Sequence, residues 1–155
     1  MKEIRKIIKE DLPALKEVLD TLELFPSEML EELMADYFTN PESEDIWFTL
    51  LHEGHPIAIT YCAPEKLTEG TYNLYAIGIK KEFQGKGFGG DMMEYLENYL
   101  KNSGHRILIV ETSGSSDFEL TRAFYHKKNY THEATIKEFW KKGDDKIIFT
   151  KKLNE

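Results

Sequence analysis

The sequence predicts a mixed α/β protein with one central sheet. Three observations lead to this fold class. Strand-like apolar segments alternate with segments in which apolar residues recur every three or four positions, as on one face of a helix. The order of these segments is strand, two helices, three strands, helix, strand, helix and two strands, which is typical of a mixed sheet. The length of 155 residues suits one domain.

The first third of the chain predicts a strand and two helices. The strand covers residues 3–8. Asp11 is the expected N-cap of the first helix, and Pro13 suits its first turn. Apolar residues at 12, 15, 18, 19 and 22 then recur at helical spacing. The second helix follows Pro26 and carries two apolar rows with a spacing of four, which predicts core packing.

The middle third predicts three strands and a helix. The first two strands, 46–52 and 57–62, flank Glu53-Gly54-His55-Pro56, which reads as a hairpin turn. The third strand covers 72–79. After a glycine-rich segment, an amphipathic pattern predicts a helix to about Lys101.

The last third predicts a strand, a helix and a strand pair. Residues 106–112 contain the continuous apolar run Ile107–Val110, which predicts a central strand buried on both faces. A helix capped at residue 116 or 117 runs to about Lys128, and Asn129 suits a left-handed stop. The final pair covers 133–140 and 146–152.

Composition excludes several classes of protein. The net charge of −8 argues against nucleic acid as a partner, because a nucleic-acid binder needs a basic face. It mildly favours a cationic small substrate, although plain solubility is the better explanation of the charge. One cysteine, Cys62, excludes an internal disulfide. His52 and His55 lie in the predicted hairpin and not in a helical metal motif, so no metal site is predicted.

The N-terminal segment and the apolar runs bear on location. Residues 1–6 lack the apolar core of a signal peptide. No apolar run approaches the ~20 residues of a membrane span. We therefore expect a cytoplasmic protein with no membrane partner.

Residues 84–90 read Gln-Gly-Lys-Gly-Phe-Gly-Gly and hold four of the ten glycines. Between a strand and a helix, such a segment offers backbone N–H groups to a phosphate. A nucleotide P-loop is excluded because no Ser or Thr follows Lys86. The segment also satisfies G-x-G-x-x-G of dinucleotide-binding proteins. However, residues 80–84 separate the glycines from the strand, whereas that fingerprint should follow its strand almost at once.

A third interpretation fits better. Gln84-x-x-Gly87-x-Gly89 matches the Q/R-x-x-G-x-G/A signature of the GNAT superfamily of N-acetyltransferases, and residues 77–89 resemble that family's motif closely. The family's order of elements is similar to the predicted order along nearly the whole chain. The resemblance implies a single GNAT-like domain over residues 1–155. Its central sheet would be mostly antiparallel, with a splayed parallel pair and flanking helices.

The resemblance implies acetyl-coenzyme A (acetyl-CoA) as co-substrate. Its pyrophosphate would rest on the amides of the glycine loop, and the preceding strand would offer backbone groups to the pantetheine arm. Gly78 is compatible with a bulge or a close backbone approach there. Lys86 either adds a point charge or is a solvated loop lysine. The implied cofactor-binding residues are Ile77, Gly78, Ile79, Gln84, Gly85, Lys86, Gly87, Phe88, Gly89, Gly90 and Arg122.

Residues 121–130 resemble the family's late helix, in which a tyrosine protonates the departing thiolate. That role falls on Tyr125. A phenol can supply the proton without being ionised at pH 7. The alternative is a packing tyrosine whose hydroxyl is bonded to the backbone.

The chain departs from the family pattern at three positions. An asparagine of many members is Phe118 here, so its pantetheine contact is lost or is replaced by Arg122. The family's glycine after the late helix is Asn129. A catalytic glutamate that some members hold on the fourth strand is Asn73. We therefore expect Glu111 to be the general base, since it closes a buried strand whose carboxyl end faces the ligand crevice. The alternative is a strand-end residue that accepts local amide hydrogen bonds.

Together these features predict an acetyl-CoA-dependent N-acetyltransferase. The acceptor would be a primary amine that attacks the thioester directly, and the charge favours a small molecule over a protein. The alternative is an inert acyl-CoA sensor, suggested by Asn73 and Phe118. The last strand pair could form the edge of a homodimer. Residues 139–145 resemble a subset of GNAT proteins and receive no role beyond a strand turn.

Overall fold

The computed structural model describes residues 2–154. Over this range the chain forms seven strands and four α-helices. The strands are β1 (Lys2–Lys6), β2 (Ile46–His52), β3 (His55–Pro64), β4 (Thr71–Ile79), β5 (Ile107–Ser113), β6 (Thr131–Lys141) and β7 (Asp144–Lys152). The helices are α1 (Leu12–Asp20), α2 (Leu30–Thr39), α3 (Phe88–Asn102) and α4 (Glu119–Lys127). Within residues 2–154, no helix combines the length and the apolar character needed to cross a membrane.

The strands of residues 2–154 form one mixed sheet of seven, in the order β1-β2-β3-β4-β5-β7-β6. The pairs β1–β2, β2–β3, β5–β7 and β6–β7 are antiparallel. β4 and β5 are parallel, from Thr71 opposite Ile107 to Leu74 opposite Val110. Both strands continue beyond this short ladder, β4 to Ile79 and β5 to Ser113. The predicted fold class, a mostly antiparallel sheet with one parallel pair and flanking helices, is confirmed.

The chain divides into two compact units. The first runs through Pro64 and adds Tyr75–Leu96, and the second comprises Glu65–Leu74 and the chain from Glu97 onward. β1 to β3, α1 and α2 belong to the first unit. β5 to β7 and α4 belong to the second.

The core of the first unit joins α1 and α2 to the strands. Its members are buried, as the helical spacing of the apolar residues predicts. Each fully buried leucine or isoleucine contributes about 1.5–3 kcal/mol relative to an exposed one. The cluster consists of Ile7, Leu15, Leu19, Leu30, Met34, Trp47 and Ile59.

Asp11 occupies the N-cap position of α1, as predicted, but its side chain makes no capping hydrogen bond to that helix. Its buried carboxylate instead accepts hydrogen bonds from the Arg5 guanidinium, at 2.8 and 2.9 Å, and from the Ile8 N–H, at 2.9 Å. Burial acts to raise the pKa of Asp11, but the hydrogen bonds from Arg5 and Ile8 outweigh it and the pKa lies below its ordinary value. The carboxylate therefore ties β1 to the start of α1.

The second unit is built around Phe149 of β7, which is fully buried. Val110 of β5 is its register partner. The ring of Tyr125, on α4, lies 5.6 Å from the Phe149 ring. α4 thus packs on the face of β5 and β7 that carries these apolar side chains.

α4 begins later than predicted. A 3-10 turn, Ser116–Phe118, precedes Glu119, and no side chain caps the helix. The predicted stop is confirmed, because Asn129 adopts the left-handed conformation with φ of 70°.

β5 continues further than predicted. Thr112 and Ser113 pair with Ile147 and Lys146 of β7, so the strand ends at Ser113, one residue beyond the predicted range 106–112. Glu111 therefore lies inside β5, and the expectation that it closes the strand is wrong. The strand is also not fully buried on both faces, since Glu111 and alternate residues before it are half-buried.

Candidate active site

The glycine-rich loop follows β4 and leads into α3. Gly85 has φ of 76° and Gly87 has φ of 88°, both in the left-handed region that favours glycine. A Cβ atom at either position would meet no atom within 4 Å. Backbone conformation, and not crowding, therefore requires glycine at these two positions.

The loop leaves a row of backbone N–H groups without protein acceptors. The first helical hydrogen bond of α3 runs from the Asp91 N–H to the Gly87 carbonyl, at 3.1 Å. In the described range 2–154, no protein acceptor binds the backbone N–H groups of residues 85–90. Such groups at the N-terminus of a helix bind anions. The loop therefore fits a phosphate or pyrophosphate group.

Gln84 anchors this loop to β4. Its side-chain Nε2 donates a hydrogen bond to the Ile79 carbonyl at 2.9 Å, and its backbone N–H donates to the Lys81 carbonyl at 3.2 Å. The side chain of Gln84 is thus used to fix the turn.

The side chains of Lys86 and Phe88 have different surroundings. Lys86 is exposed, and its ammonium lies 5.6 Å from the centre of the Phe83 ring. Phe88 is half-buried and packs 5.7 Å from the ring of His52. Lys86 is accessible to an anion on the loop, whereas Phe88 contributes packing.

Gly78 of β4 lies close to two leucine side chains within the first unit, which would have to shift to admit a larger residue. A Cβ atom there would lie 2.6 Å from Leu22 Cδ1 and 3.2 Å from Leu24 Cδ2. The segment between α1 and α2 therefore rests directly on this strand. Ile77 and Ile79, on either side, are half-buried.

Tyr125 is buried, with 3% of its surface exposed. Its ring lies 5.4 Å from Tyr130 and 5.6 Å from Phe149. Over residues 2–154 its hydroxyl forms no hydrogen bond, so the alternative of a hydroxyl bonded to backbone does not hold. Burial raises the pKa of Tyr125 well above its ordinary value. The phenol therefore stays protonated at neutral pH and is able to donate a proton.

Both carboxylate oxygens of Glu111 are held in place. Oε1 lies 3.0 Å from the Lys146 ammonium, and Oε2 accepts a hydrogen bond from Asn73 Nδ2 at 3.3 Å. Asn73 Nδ2 also donates to Glu65 Oε1 at 2.8 Å. Asn73 lies opposite Ile109, two residues before Glu111, so the two side chains share one face of the sheet. Glu111 therefore does not accept local backbone amide hydrogen bonds at a strand end. It forms an ion pair with Lys146 and a side-chain hydrogen bond with Asn73.

Tyr125 and Glu111 lie on opposite faces of β5. Side chains alternate along a strand, so Val110 and Glu111 face opposite ways. Phe149, against which Tyr125 packs, is the register partner of Val110. A phenol and a carboxylate thus lie on the two faces of one strand.

Arg122 holds the connection between β5 and α4. Its Nη1 donates hydrogen bonds to the carbonyls of Ser113 and Ser115, at 2.8 and 2.7 Å. These bonds give the residue a structural role, and the predicted contact with a cofactor stays a prediction. Phe118, at the position of the family's asparagine, is exposed.

His52 and His55 have different surroundings. The ring of His52 lies 5.2 Å from that of Phe83 in a tilted arrangement, and the exposed side chain of His55 lies 4.0 Å from Glu17. Within the described chain, residues 2–154, no group of three or more His, Cys, Asp or Glu side chains is placed to hold a metal ion.

Residues 137–140 of β6 form a bulge, called here the β6 bulge. The ladder to β7 runs to Ile136 and resumes at Lys141, so four residues stand opposite Asp145. The Asp145 carboxylate accepts a hydrogen bond from the Glu138 N–H at 3.0 Å, and Glu138 has a left-handed φ of 54°. Asp145, in the segment predicted only to form a strand turn, therefore also stabilises this bulge.

Lys146 is the residue at this site that sequence reasoning missed. Its side chain is only 12% exposed, and its ammonium lies 4.1 Å from the centre of the Phe139 ring. The available signal was a lysine placed between two aspartates and an apolar strand. That pattern does not predict Glu111 as the partner of Lys146, because their pairing depends on the register of β5 and β7.

Comparisons with known proteins agree with the predicted family. A model of the acetyltransferase (GNAT) family matches residues 1–130. An uncharacterized N-acetyltransferase of Methanocaldococcus jannaschii is 29% identical over 86 residues, which are 54% of this chain and 53% of that protein. The chain thus matches about half the length of this relative.

Two solved structures show the same fold. A GNAT-family protein from Desulfovibrio desulfuricans is 25% identical, with a TM-score of 0.91 and 99% of each chain covered. A structure from Salmonella typhimurium with its cofactor acetyl-CoA is 13% identical, with a TM-score of 0.76, and the match covers 99% of this chain and 95% of that one.

Proposed function

Because the chain belongs to the acetyltransferase (GNAT) family, we propose that it transfers an acetyl group from acetyl-CoA to the primary amine of a small molecule. The predicted family and co-substrate are confirmed at the level of the family. The proposal adds the kind of acceptor and the direct attack of the amine on the thioester. The observation that carries the binding of acetyl-CoA, and with it the proposal, is the row of N–H groups without acceptors at residues 85–90.

In this proposal the glycine loop binds the pyrophosphate of acetyl-CoA. The N–H groups of residues 85–90 and the positive end of α3 supply the hydrogen bonds and the favourable field. Lys86 adds a point charge from the exposed side of the loop. Backbone groups of residues 77–79 orient the acyl arm. The bound thioester supplies an activated acetyl group.

The proton transfers fall to Glu111 and Tyr125. The Glu111 carboxylate accepts a proton from the ammonium of the acceptor, which frees the nitrogen lone pair for attack. The hydroxyl of Tyr125 gives its proton to the departing sulfur. Their positions on opposite faces of β5 keep the proton acceptor and the proton donor apart.

Charge supports a small cationic acceptor. The chain carries a net charge of −8, and Glu65 and Glu111 are joined through the Asn73 amide on one face of β4 and β5. An inert acyl-CoA sensor is not favoured, since a buried protonated phenol and an oriented carboxylate are both present.

A thiol-release assay with acetyl-CoA and a panel of primary amines tests the function. We expect release of coenzyme A that depends on both the protein and the amine. Thermal shift with coenzyme A and with NAD serves as the binding control, and only coenzyme A should raise the melting temperature. If coenzyme A stabilises the protein but no amine in the panel causes thiol release from acetyl-CoA, the protein is an acyl-CoA sensor and not an acetyltransferase.

A further inference from the structure

The Lys146 ammonium is enclosed by a carboxylate and two aromatic rings. Its Nζ lies 3.0 Å from Glu111 Oε1, 4.1 Å from the centre of the Phe139 ring and 6.0 Å from that of Trp140. Aromatic faces attract cations through their quadrupole, and the carboxylate adds the opposite charge. We call Glu111, Phe139 and Trp140 the ammonium cage.

The cage is held in shape by contacts of its own. Trp140 Nε1 donates a hydrogen bond to the Thr112 carbonyl at 3.4 Å, next to Glu111. The rings of Phe139 and Trp140 meet edge to face, with centres 4.8 Å apart. The β6 bulge fixes the backbone that carries both rings. Phe139 and Trp140 are about half exposed, at 48% and 47%, so the cage is open to solvent on one side.

A buried acceptor atom lies beside the cage. Asn73 is 3% exposed, and its Nδ2 points to the carboxylates of Glu65 and Glu111, which fixes the orientation of the amide. The Oδ1 atom is buried, and no hydrogen-bond donor within residues 2–154 reaches it. A buried acceptor without a donor is costly, so an N–H group of a ligand at Glu111 would remove a penalty.

We propose that the ammonium cage binds the primary alkylammonium group of the acceptor, and that Lys146 occupies it as an internal analogue. A lysine side chain is a primary amine on an unbranched methylene stem, which is the chemical class that the cage accepts. The proposal rests on the proposed function, in which Glu111 takes the acceptor's proton. Lys146 leaves when the acceptor enters. Because it is tethered, it competes at an effective concentration on the order of mM.

Lys146→Ala removes the internal occupant, and the test begins with binding alone. We expect n-butylammonium to raise the melting temperature of this variant by about 3 °C or more at saturation. It should also change the fluorescence of Trp140, and Trp140→Phe added to the variant should remove that signal. Lys142→Ala, an exposed lysine in the same hairpin, is the matched control and should behave as the wild type.

The second measurement asks whether the cage is the acceptor site. Lys146→Ala should lower KM for n-butylamine by about tenfold or more, since the tethered competitor is gone. Butyltrimethylammonium, which has no N–H proton to lose, should inhibit competitively. Lys146→Met keeps the apolar stem and repeats both measurements if the alanine variant does not fold.

Two results would overturn the proposal. One is no thermal response of either Lys146 variant to n-butylammonium while wild-type protein still acetylates amines. The other is a thermal response without competition by butyltrimethylammonium. Failure of the proposed function looks different: n-butylammonium binds the variant, yet no amine releases thiol from acetyl-CoA. In that case the ammonium cage still binds alkylammonium ions, but it is not the site of an acetyl acceptor.

Discussion

The side-chain amide of Gln84 donates a hydrogen bond to the backbone carbonyl of Ile79, the last residue of β4, at 2.9 Å. The bond joins the start of the glycine loop to the strand before it. This side chain therefore helps the backbone hydrogen bonds of the connection to fix the loop relative to β4.

Gln84→Ala should weaken the binding of acetyl-CoA without altering the chemistry. Losing one hydrogen bond of about 1 kcal/mol corresponds to a roughly fivefold higher KM for acetyl-CoA. The value of kcat should stay within about twofold. Steady-state kinetics of thiol release measure both, with the exposed Lys81→Ala as control. A wild-type KM would show that the loop keeps its shape without this bond.

Gly87→Ala should cost both stability and cofactor affinity. The left-handed φ of 88° costs an alanine about 1–2 kcal/mol, while no atom within 4 Å obstructs its Cβ. Gly143→Ala is the matched control, since Gly143 has φ of 82° and open space in the β6–β7 turn. Urea unfolding should show similar losses for the two variants. Calorimetry with coenzyme A should show weaker binding for Gly87→Ala alone, and equal affinities would argue against the loop as the phosphate site.

Tyr125→Phe should separate catalysis from folding. The hydroxyl has no hydrogen bond within residues 2–154, so its removal should change the free energy of unfolding by less than about 1 kcal/mol. If Tyr125 protonates the sulfur, kcat should fall at least about tenfold with unchanged binding of coenzyme A. An unchanged kcat would remove Tyr125 from the mechanism and leave it a packing residue.

Asp11→Asn should remove a pH-dependent contribution to stability. The folded-state pKa of Asp11 lies below its ordinary value of 3.8, so ionised Asp11 stabilises the fold fully above that value. The contribution is lost as the pH falls through the folded-state pKa. At pH 7 we expect the variant to lose about 1–3 kcal/mol of unfolding free energy, and the gap should close in acid. Glu10→Gln, at an exposed neighbouring carboxylate, should leave the urea curve unchanged, and a gap that persists in strong acid would contradict the assignment.

Local patterns of the sequence predicted most of the fold. Helical spacing of apolar residues, the hairpin between β2 and β3 and the left-handed stop at Asn129 depend on neighbours within a few positions, and they were right. The hairpin turn itself is shorter than predicted, since His55 and Pro56 belong to β3. The glycine loop was found for the same reason, since its conformation is encoded by Gly85 and Gly87. The order of the predicted strands and helices along the chain also agreed with the family.

The parts that the sequence did not predict depend on partners distant along the chain. Asp11 stands at the predicted N-cap position of α1, but its carboxylate binds the guanidinium of Arg5, on a strand, and not the helix N–H groups. Glu111 was expected to end its strand, but pairing with β7 continues to Ser113. Lys146 joins Glu111 only through the register of β5 and β7. No periodicity in the sequence carries that information.

The β6 bulge also determines how the sheet meets other chains. β6 is the exposed edge of the sheet, and an uninterrupted edge of eleven residues would offer a long row of backbone groups to a foreign strand. Residues 137–140 break that row, and a second register shift between His132 and Ala134 interrupts the segment before them. A dimer formed by strand addition would therefore have only short regular segments of β6 to pair with. The same four residues that carry the aromatic rings therefore protect the protein from aggregation by edge pairing.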